Sequence, residues 1–150
     1  MARKYHQGVF KPLNPQKYAG NVTNIIFRSG WERKLMQYLD KHPAIVEWSS
    51  EETIVPYISP IDNRTHRYFL DFRVVIDRGA GKKETMLIEV KPKAQTLAPK
   101  VSNKITKRYL TEVQTWGVNS AKWEAAQKYC KARGWTFHIF TEDDLGIGKF

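Results

Sequence analysis

The chain has a single cysteine, Cys130, among its 150 residues. One thiol cannot form an internal disulfide, so the sequence excludes a disulfide-stapled domain and suits a reducing cytosol. A zinc site built from cysteines is excluded for the same reason. The four histidines, at positions 6, 42, 66 and 138, also lack the spacing of metal ligands.

Long apolar runs are absent as well. No stretch approaches the roughly 20 apolar residues that a membrane-spanning helix needs. Residues 1–6 are basic and lack the apolar core of a signal peptide. We therefore expect neither a membrane anchor nor a membrane partner.

What the sequence does have is positive charge. Lysine and arginine total 25 against 15 acidic residues, which gives a net charge of +10 on a chain long enough for one domain. Such an excess costs stability through self-repulsion and is typical of proteins with a polyanionic partner. Nucleic acid is the first interpretation, since no cationic amphipathic helix favours an anionic membrane. A basic surface that serves only solubility is the alternative.

Residues 1–23 are interpreted as a basic arm outside the core, followed by a domain over residues 24–150. Prolines and glycines interrupt the arm, and no apolar period develops in it. Its aromatic residues alternate with basic ones: Tyr5, Phe10 and Tyr18 with Arg3, Lys4, Lys11 and Lys17. The arm can lie along a phosphate backbone, or it can pack across the domain surface.

The first half of the domain predicts one helix and several strands. Ser29 and Glu32 have the spacing of a capping box, so a helix is predicted from Ser29 to the stop at Pro43. Strands are predicted at residues 45–48, 53–58, 67–77 and 85–91. The glycine turn at residues 79–81 indicates a hairpin between the last two strands.

The second half predicts two helices, at residues 102–116 and 120–133, with Gly134 as the stop. A strand at residues 135–140 and the start of a short helix at Thr141 follow. This order predicts an α/β fold, a mixed sheet flanked by helices.

Three charged residues within the predicted hairpin are the candidates for chemistry. Asp71 and Glu89 each lie between bulky apolar neighbours, and Lys91 is on the same face of its strand as Glu89. Antiparallel pairing brings Asp71 beside them. The pattern alone is a weak signal, and an ordinary salt-bridge cluster on a solvated sheet face is the alternative.

Such a group suits phosphodiester hydrolysis. Two close carboxylates repel unless a cation lies between them or one is protonated. Oxygen ligands of this kind favour Mg²⁺, with Mn²⁺ as a substitute, and the ion can generate hydroxide from bound water. A nearby lysine adds positive charge at the attacking water and the developing phosphate.

These residues also carry a resemblance to a known family. Leu70-Asp71 followed by Ile88-Glu89-Val90-Lys91 resembles the motif of the PD-(D/E)xK nucleases, with Glu32 as the upstream glutamate. Residues 27–32, 48–52, 56–62 and 66–72 are similar to the head-completion nucleases of tailed bacteriophages, and more distantly to TnsA-type transposition endonucleases. The likeness runs from Tyr5 to Lys93.

The resemblance implies a restriction-endonuclease-like fold with Mg²⁺ as cofactor. By position, Asp71 and Glu89 bind the metal, the Val90 carbonyl adds a ligand, and Lys91 is catalytic. Glu32 orients Lys91 or joins the metal shell. Leu70 stands where the family commonly has proline, which shapes the strand and supplies no ligand.

The resemblance further implies a DNA endonuclease that acts in phage head completion on packaged DNA ends. Its partners would be DNA and phage head or neck components, and it would act in the cytoplasm of the infected bacterial host or stay with the virion. A non-catalytic protein that binds DNA ends and a transposase-like or junction-resolving nuclease are the alternatives. Basic residues after the active strand are candidate phosphate contacts: Lys93, Lys100, Lys104, Lys107 and Arg108.

Two further acidic residues, Glu51 and Glu52, lie close to a predicted strand. A solvated sheet edge is the favoured interpretation for both, and metal binding by one of them stays open.

Overall fold

The computed structural model describes residues 7–144. At its start, strand β1 (Gly8–Val9) pairs antiparallel with β2 (Ile26–Phe27), and a short 3-10 helix spans Pro15–Lys17 between them. The following helix, α1, covers Gly30–Lys41. Ser29 caps it as the sequence predicted, because the Ser29 side chain accepts the backbone N–H of Glu32.

A four-stranded mixed sheet forms the centre of the fold. It contains β3 (Ile45–Ser50), β6 (Phe72–Asp77), β7 (Lys83–Val90) and β8 (Thr136–Phe140), in the order β3-β6-β7-β8. β6 is antiparallel to both β3 and β7, whereas β7 and β8 are parallel. The predicted mixed sheet, the hairpin between β6 and β7, and the late strand are confirmed.

A separate two-stranded sheet pairs β4 (Ile54–Ile58) with β5 (Thr65–Phe69). The single strand predicted at residues 67–77 is therefore wrong: the chain leaves one sheet after Phe69 and enters the other at Phe72. The alternation of apolar residues does not reveal the break, since Tyr68, Leu70 and Phe72 are all buried. They are buried in different layers, and the chain changes sheets at Leu70 and Asp71.

The second helix, α2, runs without interruption from Lys107 to Arg133. The two helices predicted at residues 102–116 and 120–133 are therefore wrong in number, and the first of them starts too early. Gly117 costs only about 1 kcal/mol in a helix interior, which packing by its neighbours Trp116 and Val118 offsets. Gly134 ends α2 in the left-handed conformation, as predicted. Residues 142–144 form a turn, and the remainder of the predicted final helix lies outside the described residues.

The central sheet separates two apolar layers. Met86 and Ile88 of β7 pack on the α1 side, in a cluster that includes Met36, Leu39 and Trp48. The alternate residue Leu87 packs on the α2 side with Tyr68, Leu70, Trp123 and Ala126. Glu89, two residues beyond Leu87, points into this second layer.

Residues 7–23 lie against the domain, which is the second of the two arrangements that the sequence left open, and two of their side chains enter the core. Phe10 and Tyr18 are buried and pack edge-on against Trp48. The carboxylate of Asp40, at the end of α1, accepts the backbone N–H groups of Leu13 and Asn14 at 2.8 and 3.0 Å. An irregular segment has no apolar period, so its anchoring by single aromatic residues was not visible in the sequence.

Across residues 7–144, no helix has the length and apolarity needed to cross a membrane.

Candidate active site

Asp71 lies where the chain passes from β5 to β6. Its carboxylate Oδ2 accepts the backbone N–H of Val90 at 2.8 Å, and its carbonyl oxygen accepts the N–H of Glu51 at 3.2 Å. Phe72 is paired with Ile88, so Asp71 lies beside Glu89 at the end of the hairpin. The predicted convergence of the two carboxylates is thus present.

Glu89 is buried on β7, with 6% of its surface exposed. The hydroxyl of Tyr68 donates to its Oε2 at 2.6 Å, and the indole Nε1 of Trp123 lies 3.5 Å from the same oxygen. Neither partner was assigned to the site from the sequence. Tyr68 is on the inward face of its predicted strand and Trp123 on the apolar stripe of its helix, but no sequence spacing joins either residue to Glu89.

The carboxyl group of Asp71 has a strongly altered pKa. Burial, and next the hydrogen bonding and charge of Glu89, raise the pKa of Asp71 to about 9. Burial and the charge of Glu89 likewise raise the pKa of Tyr68. A pair of this kind holds a proton near neutral pH unless a cation replaces it, so an oxygen-ligand metal ion suits the site.

The donors available to such an ion are two carboxylates and the carbonyl of Val90, which adjoins Glu89. In the described part of the chain, no three acidic, histidine or cysteine side chains form a group that could hold a metal. A magnesium ion accepts this arrangement, since it commonly binds through one or two carboxylates and keeps several waters.

Glu32 is held at the start of α1 and lies near Asp71. Its Oε1 accepts the backbone N–H of Arg28 at 3.4 Å, and its Oε2 lies 3.4 Å from the Ser29 hydroxyl. Burial raises the pKa of Glu32, and its negative charge contributes to the raised pKa of Asp71. The capping interaction and the proximity to Asp71 therefore coexist.

Lys91 directly follows β7 and is partly buried. Its backbone N–H donates to the Phe140 carbonyl at 2.9 Å, which continues the parallel pairing with β8 beyond Val90. Strand alternation therefore places Lys91 on the same face as Glu89.

The predicted DNA contacts have different surroundings. Lys11, Lys100, Lys104 and Lys107 are exposed, whereas Lys93 pairs with Asp143 at 3.0 Å and Arg108 with Glu112 at 3.2 Å. Lys17 has a structural role, because its Nζ donates hydrogen bonds to the backbone carbonyls of Asp40 and His42 at 3.0 and 2.8 Å. Burial lowers the pKa of Lys17, and the opposite effect of the Asp40 charge is smaller. Arg3 and Lys4 lie outside the described residues.

Arg28 and Glu51 are neighbours of the site that the sequence gave no reason to pair. The guanidinium of Arg28 donates to the carboxylate of Glu51. Hydrogen bonding and charge from Glu51, followed by the charges of Glu32 and Asp71, raise the pKa of Arg28. The interpretation of Glu51 as a solvated edge residue missed this contact, because the sequence does not show how β3 ends.

Comparisons with known proteins identify the family of the chain. Residues 42–142 match the model of the TnsA-like endonuclease N-terminal domain. The chain is also 38% identical over 144 residues to the head completion nuclease of Enterobacteria phage T4, and the match covers 93% of each protein. Since the family model spans about two thirds of the chain, including Asp71, Glu89 and Lys91, the chain belongs to the TnsA-like endonuclease family.

Proposed function

We propose that this protein is a metal-dependent DNA endonuclease that processes the ends of packaged DNA during phage head completion. The main support for the proposal is the proximity of Asp71 and Glu89 at the end of the β6–β7 hairpin. Lys91 lies two residues after Glu89 on the same face of the strand. Family membership supports the nuclease activity, and the name of the phage T4 relative supports the role in head completion.

Asp71, Glu89 and the Val90 carbonyl would hold Mg²⁺, or Mn²⁺ in its place. The bound ion would supply a hydroxide nucleophile at neutral pH and polarise the phosphate. Tyr68 orients the Glu89 carboxylate through the bond to Oε2. The N–H of Val90 orients the Asp71 carboxylate in the same way. The backbone of β7, the strand that contains Glu89, therefore also fixes the position of Asp71.

Lys91 and Glu32 would complete the reaction centre. The ammonium of Lys91 balances negative charge at the attacking water and at the phosphate as the bond order changes. Glu32 keeps its carboxylate near Asp71 and orients Lys91 or the hydrated metal. Its attachment to the first turn of α1 gives it a fixed position.

The DNA would bind by charge, and its phosphates would meet the exposed lysines that follow the site. The ion pairs of Lys93 and Arg108 do not prevent this, because both pairs are exposed and solvent screens them. We propose Arg3, Lys4, Lys11, Lys93, Lys100, Lys104, Lys107 and Arg108 as phosphate contacts. The protein would act in the cytoplasm of the infected host, where phage head components are its other partners.

A cleavage assay tests this function. The purified protein is incubated with linear, gapped and branched DNA in Mg²⁺, in Mn²⁺ and in excess chelator. We expect cleavage with either metal and none in chelator. Lys91→Ala should abolish cleavage, while Lys83→Ala, a matched change at the exposed start of the same strand, should not. Cleavage that persists in chelator contradicts the metal mechanism, and a preference for branched DNA contradicts the assignment to DNA ends.

A further inference from the structure

Arg28 places a positive charge beside the acidic residues Glu32, Glu51 and Asp71. It precedes the cap of α1, and its guanidinium donates to Glu51, while Glu32 and Asp71 are close enough to raise its pKa. A DNA phosphate that approaches Asp71 and Glu89 meets these negative charges, so a cation at this position lowers the electrostatic barrier to entry.

Glu51 is fixed by its backbone rather than by its side chain alone. It follows β3 directly and has a φ of 56°, in the left-handed region that non-glycine residues seldom adopt. Its N–H donates to the carbonyl of Asp71 at 3.2 Å. Strained residues of this kind are concentrated at functional sites. The Arg28–Glu51 pair is therefore connected directly to the main chain of a predicted metal ligand.

Separating Arg28 from Glu51 requires little free energy. The side chain of Arg28 is 52% exposed and that of Glu51 is 36% exposed. An ion pair in such surroundings contributes little to stability, because solvent screens it. A phosphate offers the guanidinium two parallel charge-assisted hydrogen bonds, a geometry for which arginine is well suited. A phosphate near the site can thus replace Glu51 as the acceptor.

We propose that Arg28 is a DNA-binding residue that exchanges Glu51 for a backbone phosphate when the substrate enters the active site. In the free protein, Glu51 acts as a positioning residue that holds the guanidinium beside Asp71. In the complex, the guanidinium of Arg28 donates two hydrogen bonds to the phosphate, and the side chain of Glu51 is released to solvent. This inference rests on the proposed nuclease function, since it identifies how the same site receives its substrate.

The test is DNA binding in excess chelator, which does not depend on cleavage, measured over a range of salt concentrations. Arg28→Ala should weaken binding about tenfold, and it should reduce the slope of log affinity against log salt by about 0.9, the value for one lost phosphate contact. Glu51→Gln should tighten binding several-fold when Arg28 is present. In the Arg28→Ala background, the same substitution should change binding by less than twofold.

A matched control is the Arg78–Glu84 pair, which has similar exposure and lies at the opposite end of the β6–β7 hairpin. Arg78→Ala and Glu84→Gln should leave both affinity and salt slope at the parental values. Thermal unfolding is measured for every variant. If Arg28→Ala does not fold, Arg28→Gln, which loses the charge but keeps a long polar side chain, should show the same loss of salt slope.

Parental binding by the Arg28 variants overturns the proposal. An equal gain from Glu51→Gln with and without Arg28 also overturns it, because Glu51 then acts only by repelling DNA. Cleavage by the parent protein is measured in parallel. A parent that binds DNA but does not cut it contradicts the nuclease function alone, and a parent that cuts while the Arg28 variants bind normally contradicts the exchange alone.

Discussion

The hydroxyl of Tyr68 donates a hydrogen bond of 2.6 Å to Oε2 of Glu89, and both residues are buried. This contact links the small β4–β5 sheet to the strand that carries the candidate metal ligands. Glu89 therefore has a fixed orientation before any metal binds.

Tyr68→Phe removes that donor and keeps the ring. We expect a loss of roughly 1–3 kcal/mol in the free energy of unfolding, because a buried acceptor loses a partner. Cleavage should fall about tenfold, the lower end of the effect typical of a lost outer-shell partner. Chemical denaturation and cleavage rates measure the two effects. Tyr57→Phe is the control, since that ring lies 6.5 Å from Tyr68 on the same buried face. Equal behaviour of the two variants would remove Tyr68 from the site.

Substitutions of Asp71, Glu89 and Lys91 should affect the cleavage rate without affecting DNA affinity. Asp71→Asn, Glu89→Gln and Lys91→Ala should each lower the cleavage rate by orders of magnitude, since each removes charge at the reaction centre. DNA affinity should stay near the parental value, because the basic surface provides it. Single-turnover cleavage and a binding titration test this, and three variants that cut like the parent would show that the site is assigned wrongly.

Glu32 accepts a backbone N–H at the start of α1 and is also our proposed catalytic residue there, and Glu32→Gln distinguishes the two roles. Glutamine still accepts the Arg28 N–H, so thermal stability should stay near the parental value. The lost negative charge should greatly lower the cleavage rate. Thermal unfolding and cleavage are measured on the same sample. Normal cutting would leave Glu32 with a structural role only.

Truncation of the N-terminal segment should have two distinct consequences. Removing residues 1–6 takes away Arg3 and Lys4, so the salt slope of DNA binding should become shallower by about 2 while the fold is retained. Removing residues 1–20 also deletes Phe10 and Tyr18, which pack on Trp48, and should lower the unfolding temperature sharply. An unchanged slope in the shorter truncation would exclude those two residues as phosphate contacts.

The local elements and the proximity of Asp71 to Glu89 were largely predictable because their signals are short-range. The Ser29 cap, the glycine turn and the alternation in β7 each depend on a few adjacent residues, and antiparallel pairing then brings Asp71 to Glu89. The role proposed for Glu32 comes from the resemblance to a nuclease family, because the spacing alone does not suggest it.

The errors come from tertiary contacts that override local patterns. Gly117 does not break α2, because its neighbours pack on the sheet. The alternation through residues 67–77 hides the change of sheet at Asp71, since both layers are apolar. Phe10 and Tyr18 are single buried residues in an irregular segment, so no repeating pattern in the sequence indicates their burial. The Arg28–Glu51 contact likewise has no sequence pattern that would predict it.

Asp71 and Glu89 are proposed to form one divalent-metal site. Because burial and Glu89 raise the pKa of Asp71 to about 9, binding at neutral pH must displace a proton. The apparent affinity for metal should therefore increase as the pH rises towards 9, and it should fall as the pH is lowered and the proton is retained.

Titration of the protein with Mn²⁺ tests this metal site, with the free ion measured by its electron paramagnetic resonance signal. We predict a site that Mg²⁺ competes for, that weakens with falling pH, and that is lost in both Asp71→Asn and Glu89→Gln. Glu84→Gln, at the far end of β7, should bind like the parent. Unchanged Mn²⁺ binding in the Asp71 and Glu89 variants would contradict the account.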